Sequence, residues 1–325
     1  MMIKPKIVNR NVNISYVRQP LSQPVTQHQL LINKSTYRTP YNAVVVHSGN
    51  KPPQRGIRSK SQQPMVVPKK PDIHRYTPQQ QRLLKKQQQS YDEYIKKIES
   101  IRDTGKGKIM VMIAPGPSIL EVDLTKLVGN KHIDLMTINK PHHGTWPTRY
   151  WSFCDQTQYN RNQAAWDAYA GTIFNSGAVR ARKHNQIIIK TRPGRIFSRD
   201  LTIGYCIGRT TTYASMQVAL WLNYDKIYIF GVDMGRVTIE KDGKKVNLLH
   251  SYGTNPDVPE DKREQRFKAE AQSYEHGATE LTHDECKRFY FCSAYNKWPF
   301  VYKYNKVDHR TAVDIILGEA KKLDR

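Results

Sequence analysis

Six places in the chain set chemically useful side chains at the end of an apolar run. His250, in His250-Ser251-Tyr252-Gly253, carries the side chain whose unperturbed pKa lies closest to neutrality, which suits a general base. Asp233 lies in Phe230-Gly231-Val232-Asp233-Met234-Gly235, an acid between two glycines that could hold a hydroxyl or a ribose. In Ala114-Pro115-Gly116-Pro117-Ser118, Gly116 lets backbone approach a ligand closely. Ser118 can cap the helical segment that follows, whose first amides attract phosphate; a plain tight turn with a cap fits the same residues. The stretch is neither a Gly-Lys-Ser/Thr phosphate loop nor GxGxxG. Asn139 reads as a hydroxyl contact or as a turn-closing residue. Asp155 reads as a base, a metal ligand, a sugar contact or an Asx turn. Ser293, Tyr295 and Asn296 can line a pocket, with Trp298-Pro299-Phe300 either covering it or filling the core. The histidines show no metal-ligand spacing, and the adjacent pair His142-His143 would point to opposite sides of a strand.

The elements that must position these groups are legible as apolar runs. Ile109–Ala114, Ile133–Asn139, Tyr150–Asp155, Gly171–Phe174, Gln186–Lys190, Lys226–Asp233 and Arg288–Ser293 have strand length. Helices are expected over 77–103, 211–223 and 259–283, the first with Thr77 as N-cap and Pro78 at the first helical position, and a helix or helical turn over Ile119–Leu124. Near-continuous apolar strands alternating with helices predict an α/β fold, a mostly parallel sheet with helices on both faces. Ligands of such sheets bind outside the carboxyl ends of the strands.

Charge divides the 325 residues unevenly. The total is +24, and residues 1–75 hold thirteen Lys/Arg against one acid, Asp72. That segment is rich in Pro, Gln, Asn and Ser, and its short apolar pieces have no sustained period. It is expected to be a largely disordered basic tail that meets nucleic acid or another polyanion, or else merely adds charge. Residues 76–105 are expected to form a connector helix, and 106–325 the folded domain. The composition excludes a small disulfide scaffold, a collagen-like chain and a wholly disordered protein. No run approaches the ~18 apolar residues of a membrane span, and no secretory signal is read at the start, so a cytoplasmic location is expected. Cys154, Cys206, Cys286 and Cys292 form no CxxC pair and are expected to be reduced and buried.

The order of these motifs resembles two related groups. Val111-Met-Ile-Ala-Pro-Gly-Pro-Ser-Ile-Leu-Glu-Val-Asp123 is similar to the first strand and phosphate-side turn of bacterial lipooligosaccharide sialyltransferases. It also resembles the MptE-like Rossmann proteins, which include 6-hydroxymethylpterin diphosphokinases and phage proteins. Asn139, the segment 213–223 with Ile227-Tyr-Ile-Phe-Gly-Val-Asp233, His250-Ser251 and Cys292-Ser293 follow in the same order, so the resemblance covers about residues 108–300. It implies a Rossmann-like fold in a phage or bacterial protein, host-cytoplasmic in the phage case. It further implies a nucleotide or nucleotide-sugar site, without an obligatory metal or cofactor in the sialyltransferase branch.

By the sialyltransferase analogy the protein transfers a sugar from a nucleotide sugar to a hydroxyl acceptor. His250 would deprotonate the acceptor, Asp233 would hold the acceptor or ribose, and Gly116, Pro117, Ser118, Asn139, Asp155, Arg209, Tyr213 and Ser293 would contact the nucleotide. Pro115 stands where the sialyltransferases carry Asn, and Tyr213 lies one position from their phosphate-steadying tyrosine. Two alternatives stay open. One is an MptE-like, ATP-dependent diphosphotransferase with magnesium held by Asp233 and Asp155. The other is a non-enzymatic phage structural or nucleic-acid-binding protein on a degenerate Rossmann scaffold.

Overall fold

The computed structural model describes residues 77–140, 147–241, 243–251 and 259–324. The basic segment 1–75 and His142-His143 lie outside the described residues. The first element is helix α1 (Pro78–Glu99), opened by a capping box in which Thr77 and Gln80 satisfy each other's backbone N–H. Strands β1 (Ile109–Ile113), β2 (Ile133–Ile138) and β3 (Tyr150–Phe153) follow. After β3 come short helices α2 (Gln156–Arg161) and α3 (Gln163–Ala168), then β4 (Thr172–Ser176) and β5 (Gln186–Ile189). A two-residue pair, β6 (Thr191–Arg192) and β7 (Tyr205–Cys206), leads into α4 (Thr211–Trp221) and β8 (Lys226–Phe230). The hairpin β9 (Val237–Lys241) and β10 (Lys244–Leu248) precedes α5 (Glu260–Glu280) and α6 (His283–Lys287). The chain closes with β11 (Phe289–Cys292), β12 (Asn305–Val307) and α7 (His309–Lys322).

Eight strands form one sheet in the order β12-β11-β8-β1-β2-β3-β4-β5, and every pairing in it is parallel. This is a Rossmann-like α/β arrangement. Its two faces follow from the period-2 alternation of each strand. Met110 and Met112 of β1 join one core with Ile98 of α1, Met216 of α4 and Tyr274 of α5. Ile109, Val111 and Ile113 join the other with Leu124, Leu127 and the Ala312, Val313 and Ile316 face of α7. Trp151, Phe153 and Trp166 extend that second face in an aromatic cluster. Each such side chain, once fully buried, contributes about 1.5–3 kcal/mol. All four cysteines are free and buried.

The expected strands fall where the apolar runs are, but three expectations are adjusted. The first helix stops at Glu99, four residues before the expected end, because Ser100 caps it and Trp221 Nε1 donates to the Ile98 carbonyl. The chain after β1 makes two 3-10 turns, Pro117–Glu121 and Leu124–Leu127, rather than an α-helix. Pro115 and Pro117 remove two N–H donors there, and only nineteen residues link β1 to β2. Finally, the helix expected over 259–283 ends at Glu280, and α6 starts afresh at His283 under its own Thr282 cap.

At the centre of the sheet Gly231 has φ +71°, and a Cβ there would lie 2.1 Å from the Ala114 carbonyl oxygen. Gly231→Ala is therefore expected to destabilise the fold by roughly 2–4 kcal/mol, combining backbone strain with overpacking. Urea unfolding with an unchanged slope and a lower midpoint would register it.

Candidate functional site

The strand order reverses between β1 and β8: after β1 the chain moves outward through β2 to β5, then returns to the far side of β1. Ligand crevices form at such a switch, outside the carboxyl ends. Here the two turns are pressed together. Ala114 N–H donates to the Phe230 carbonyl at 2.9 Å, and Gly116 N–H to the Gly231 carbonyl at 2.8 Å. A Cβ on Gly116 would lie 2.3 Å from that Gly231 oxygen, so glycine is required on both sides of the contact.

Asp233 closes this junction. It is 3% exposed; its Oδ2 accepts the Ser118 N–H at 2.8 Å and its Oδ1 the Ser293 hydroxyl at 2.5 Å. Ser293 Oγ in turn accepts the N–H groups of Tyr295 and Asn296. The amide expected to face a ligand phosphate at residue 118 is thus taken by an internal carboxylate. The same arrangement bears on the magnesium alternative. Both Asp233 oxygens are engaged, and Asp155 caps α2 by accepting the Gln158 N–H, outside the crevice. That pair does not fit a shared cation.

The crevice itself, of about 130 Å³, is lined by Pro115, Gly116, Asn139, Val232, Asp233 and Met234 from the sheet edge. Thr210 and Thr212 line it from the start of α4, His250 from the strand-to-loop junction after β10, and Arg263, Arg266, Phe267, Glu270 and Tyr274 from α5. The N-terminus of α4 supplies oriented amides, and Thr210 Oγ1 accepts the Thr212 N–H as its cap. Arg263 is only 7% exposed. Arg266 Nε donates to Glu270 Oε1 at 2.9 Å, and burial raises the Glu270 pKa. Asn139 has φ +62°; its backbone is held by the Ser152 carbonyl and Trp151 Nε1, while its buried side-chain oxygen has no partner. The Ser118 and Ser251 hydroxyl oxygens are also buried without a partner among the described residues. Buried polar atoms of this kind are rare in folded proteins and call for an explanation.

His250 is fastened beside the first turn, since Ser251 N–H donates to the Pro115 carbonyl at 2.7 Å. Burial, then Arg266 and Arg263, pull its pKa down to about 4. The imidazole is therefore neutral at pH 7 and able to accept a proton, but with low affinity for it. A bound anion that neutralises the two guanidinium groups raises that affinity.

Of the residues singled out from the sequence, Gly116, Asn139, Asp233 and His250 come together at the crevice. Pro117 and Ser118 are buried directly behind Gly116, and Ser293 behind Asp233. Tyr213 is fully buried in the core, where its hydroxyl donates to the Arg195 carbonyl. Arg209 opens on a different cleft, with Arg192 and Arg195. Sequence reasoning missed Thr210, Thr212 and the α5 residues. The spacing 263, 266/267, 270, 274 is one helical face, and it mixes arginine, phenylalanine, glutamate and tyrosine. The apolar stripe Phe267, Ala271, Tyr274 and Ala278 marks the face of α5 that packs on the core, but nothing in the sequence ties the neighbouring Arg263, Arg266 and Glu270 to a crevice.

The chain matches no protein-family model, no curated protein and no solved structure. Among the described residues no helix is long and apolar enough to cross a membrane.

Two outcomes follow from this geometry. Asp233→Ala leaves the Ser118 N–H and the Ser293 hydroxyl unpaired in the interior, and is expected to cost roughly 2–4 kcal/mol in chemical unfolding. Asp233→Asn, which keeps an acceptor, should lose clearly less. For His250 the unfolded chain binds a proton at about pH 6.5 and the native chain only near pH 4. Stability supported by the neutral imidazole is therefore complete above pH 6.5 and lost progressively as pH falls toward 4. A pH series of unfolding midpoints should show a smaller loss over that window in His250→Gln than in the parent.

Proposed function

We propose that the crevice binds a nucleotide sugar through its phosphates and transfers the sugar to a hydroxyl acceptor. The observation that carries this reading is the convergence of three cationic features on one side of His250. These are the N-terminal amides of α4, the buried Arg263 and the more exposed Arg266. Such a set favours a dianionic group and orients it by bonds to fixed donors. Asn139, which lines the same crevice and whose side-chain oxygen has no partner among the described residues, suits a ribose or sugar hydroxyl.

In this scheme the phosphates lie against α4 and α5, not against residues 115–119, whose amide at 118 is already used. The diphosphate leaving group is stabilised by Arg263 and Arg266 as its charge develops. His250 accepts the acceptor hydroxyl proton, its basicity raised by the phosphates that offset the two arginines. Asp233 acts at one remove, by holding the β1 turn, the β8 turn and the Ser293 loop in register. Catalytic metal coordination by Asp233 and Asp155 finds no support in their placement.

The test is a thermal-shift panel on the full chain with CMP, CDP, UDP, GDP and ATP, each with and without Mg²⁺. A ligand at a hundredfold excess over its dissociation constant adds about 2.7 kcal/mol. A metal-independent shift with CMP or UDP is expected, abolished in Arg263→Ser and weakened in Arg266→Ser. His250→Ala should keep the shift and lose turnover of the matching nucleotide sugar. A shift restricted to ATP with Mg²⁺ overturns the reading in favour of diphosphoryl transfer, and no shift at all removes the nucleotide.

A further inference from the structure

On the far side of the Gly208-Arg209-Thr210 segment from the crevice lies a second cleft, of about 570 Å³. Arg192, Arg195 and Arg209 all line it, and no acidic residue does. None of the three side chains makes an ion pair or a hydrogen bond among the described residues, although Lys108, Arg149, Arg199 and Lys226 elsewhere on the domain all do. The backbone that presents them is held firmly. Tyr213 donates to the Arg195 carbonyl at 2.6 Å, and Cys206 Sγ lies 3.5 Å from the Pro193 carbonyl. Arg209 is kept at φ +72°, in the left-handed region, directly before the cap of α4. A non-glycine residue in that conformation is strained, and such strain persists where the surroundings impose it.

We infer that this arginine cleft is a binding site for a nucleic-acid sugar–phosphate backbone, separate from the nucleotide crevice. Three unpaired guanidinium groups on one rigid wall match successive phosphates, each of which accepts a forked pair of bonds. Arg195 also borders an adjoining cleft of about 500 Å³ of mixed charge, lined by Lys303, His276 and Glu275, so the cationic track is confined to the three arginines. No aromatic ring lines the arginine cleft, so bases have no platform on which to stack, and recognition is by charge rather than by sequence. The site belongs to the folded domain, and does not rely on the thirteen cations of residues 1–75.

The experiment is fluorescence anisotropy of a labelled single-stranded oligonucleotide with the full chain, over a salt series. Arg192→Ser/Arg195→Ser/Arg209→Gly is compared with Lys126→Ser/Lys321→Ser/Lys322→Ser. The second variant removes the same charge from the face carrying α7, on the other side of the sheet. At three contacts the first variant should weaken binding at least tenfold at low salt. It should also flatten the slope of log K against log salt by about 2, at ~0.7 per phosphate. The control should change the slope little. Arg209→Gly alone tests for misfolding: glycine accepts φ +72° without strain, so its melting temperature should hold or rise while binding weakens. Equal losses in both triple variants, or no loss in either, assign the binding to net charge or to residues 1–75 and overturn the inference. Loss of inorganic pyrophosphate binding with oligonucleotide binding unchanged also overturns it, making the cleft a small-anion site.

Discussion

Two glycine-containing turns meet at the carboxyl edge of the sheet closer than any side chain would allow, and one buried carboxylate ties them. Gly116 and Gly231 share a backbone hydrogen bond, and Asp233 reaches across to the Ser118 amide and to the Ser293 hydroxyl. The consequences spread outward. The contact draws β1 and β8 together where the strand order reverses. It sets the start of the 3-10 turn after β1, and it fixes the loop after β11. The Pro115 carbonyl left on the outside of the junction then receives the Ser251 N–H, which places His250. Three segments distant in sequence are registered by the charge-assisted bonds of Asp233, which are stronger than neutral ones, and the Ser251 segment joins them through a backbone bond.

The network also explains why the cationic lining of the crevice comes from α4 and α5. In a dinucleotide-binding βαβ unit the helix after the first strand directs its amides at a phosphate. Here that segment is a five-residue 3-10 turn, and its Ser118 amide is occupied by a carboxylate of the protein. The helix start that lines the crevice is that of α4, capped by Thr210, with Arg263 and Arg266 of α5 lining the same crevice. An internal anion, Asp233, and the two arginines therefore share one crevice.

Much of the scaffold was legible because its signals are local. Strands buried on both faces read as unbroken apolar runs, so Ile109–Ile113, Ile133–Ile138 and Lys226–Phe230 stand out at once. The carboxyl-edge residues Gly116, Asn139 and Asp233 were legible for the same reason, since each directly follows such a run. What was not legible depends on tertiary placement. Asp233 looks like a ligand contact by position, and only its two partners, 115 and 60 residues away, reveal its binding to the protein itself. Arg209 is a site residue only by the resemblance; at φ +72° it lines the second cleft with Arg192 and Arg195, a placement that no local sequence signal announces. Helix α5 fails differently: Phe267, Ala271, Tyr274 and Ala278 form an apolar stripe at helical spacing that marks the face packed on the core, but that stripe does not say that Arg263, Arg266 and Glu270 beside it line a polar crevice.

The electrostatics of the crevice constrain the order of events in the proposed transfer. A base with a pKa of about 4 is fully unprotonated at neutral pH but draws a proton from a sugar hydroxyl only weakly. Its weakness has two sources with different fates on ligand binding. Desolvation persists, or deepens, when the crevice fills. The repulsion from Arg263 and Arg266 disappears once phosphates sit against them. In the proposed scheme donor binding therefore lifts only the part of the depression that the two arginines impose, while burial, the larger cause, remains. His250 gains basicity when the donor is bound without regaining that of a free imidazole, and the base is tied to the leaving group through two shared arginines.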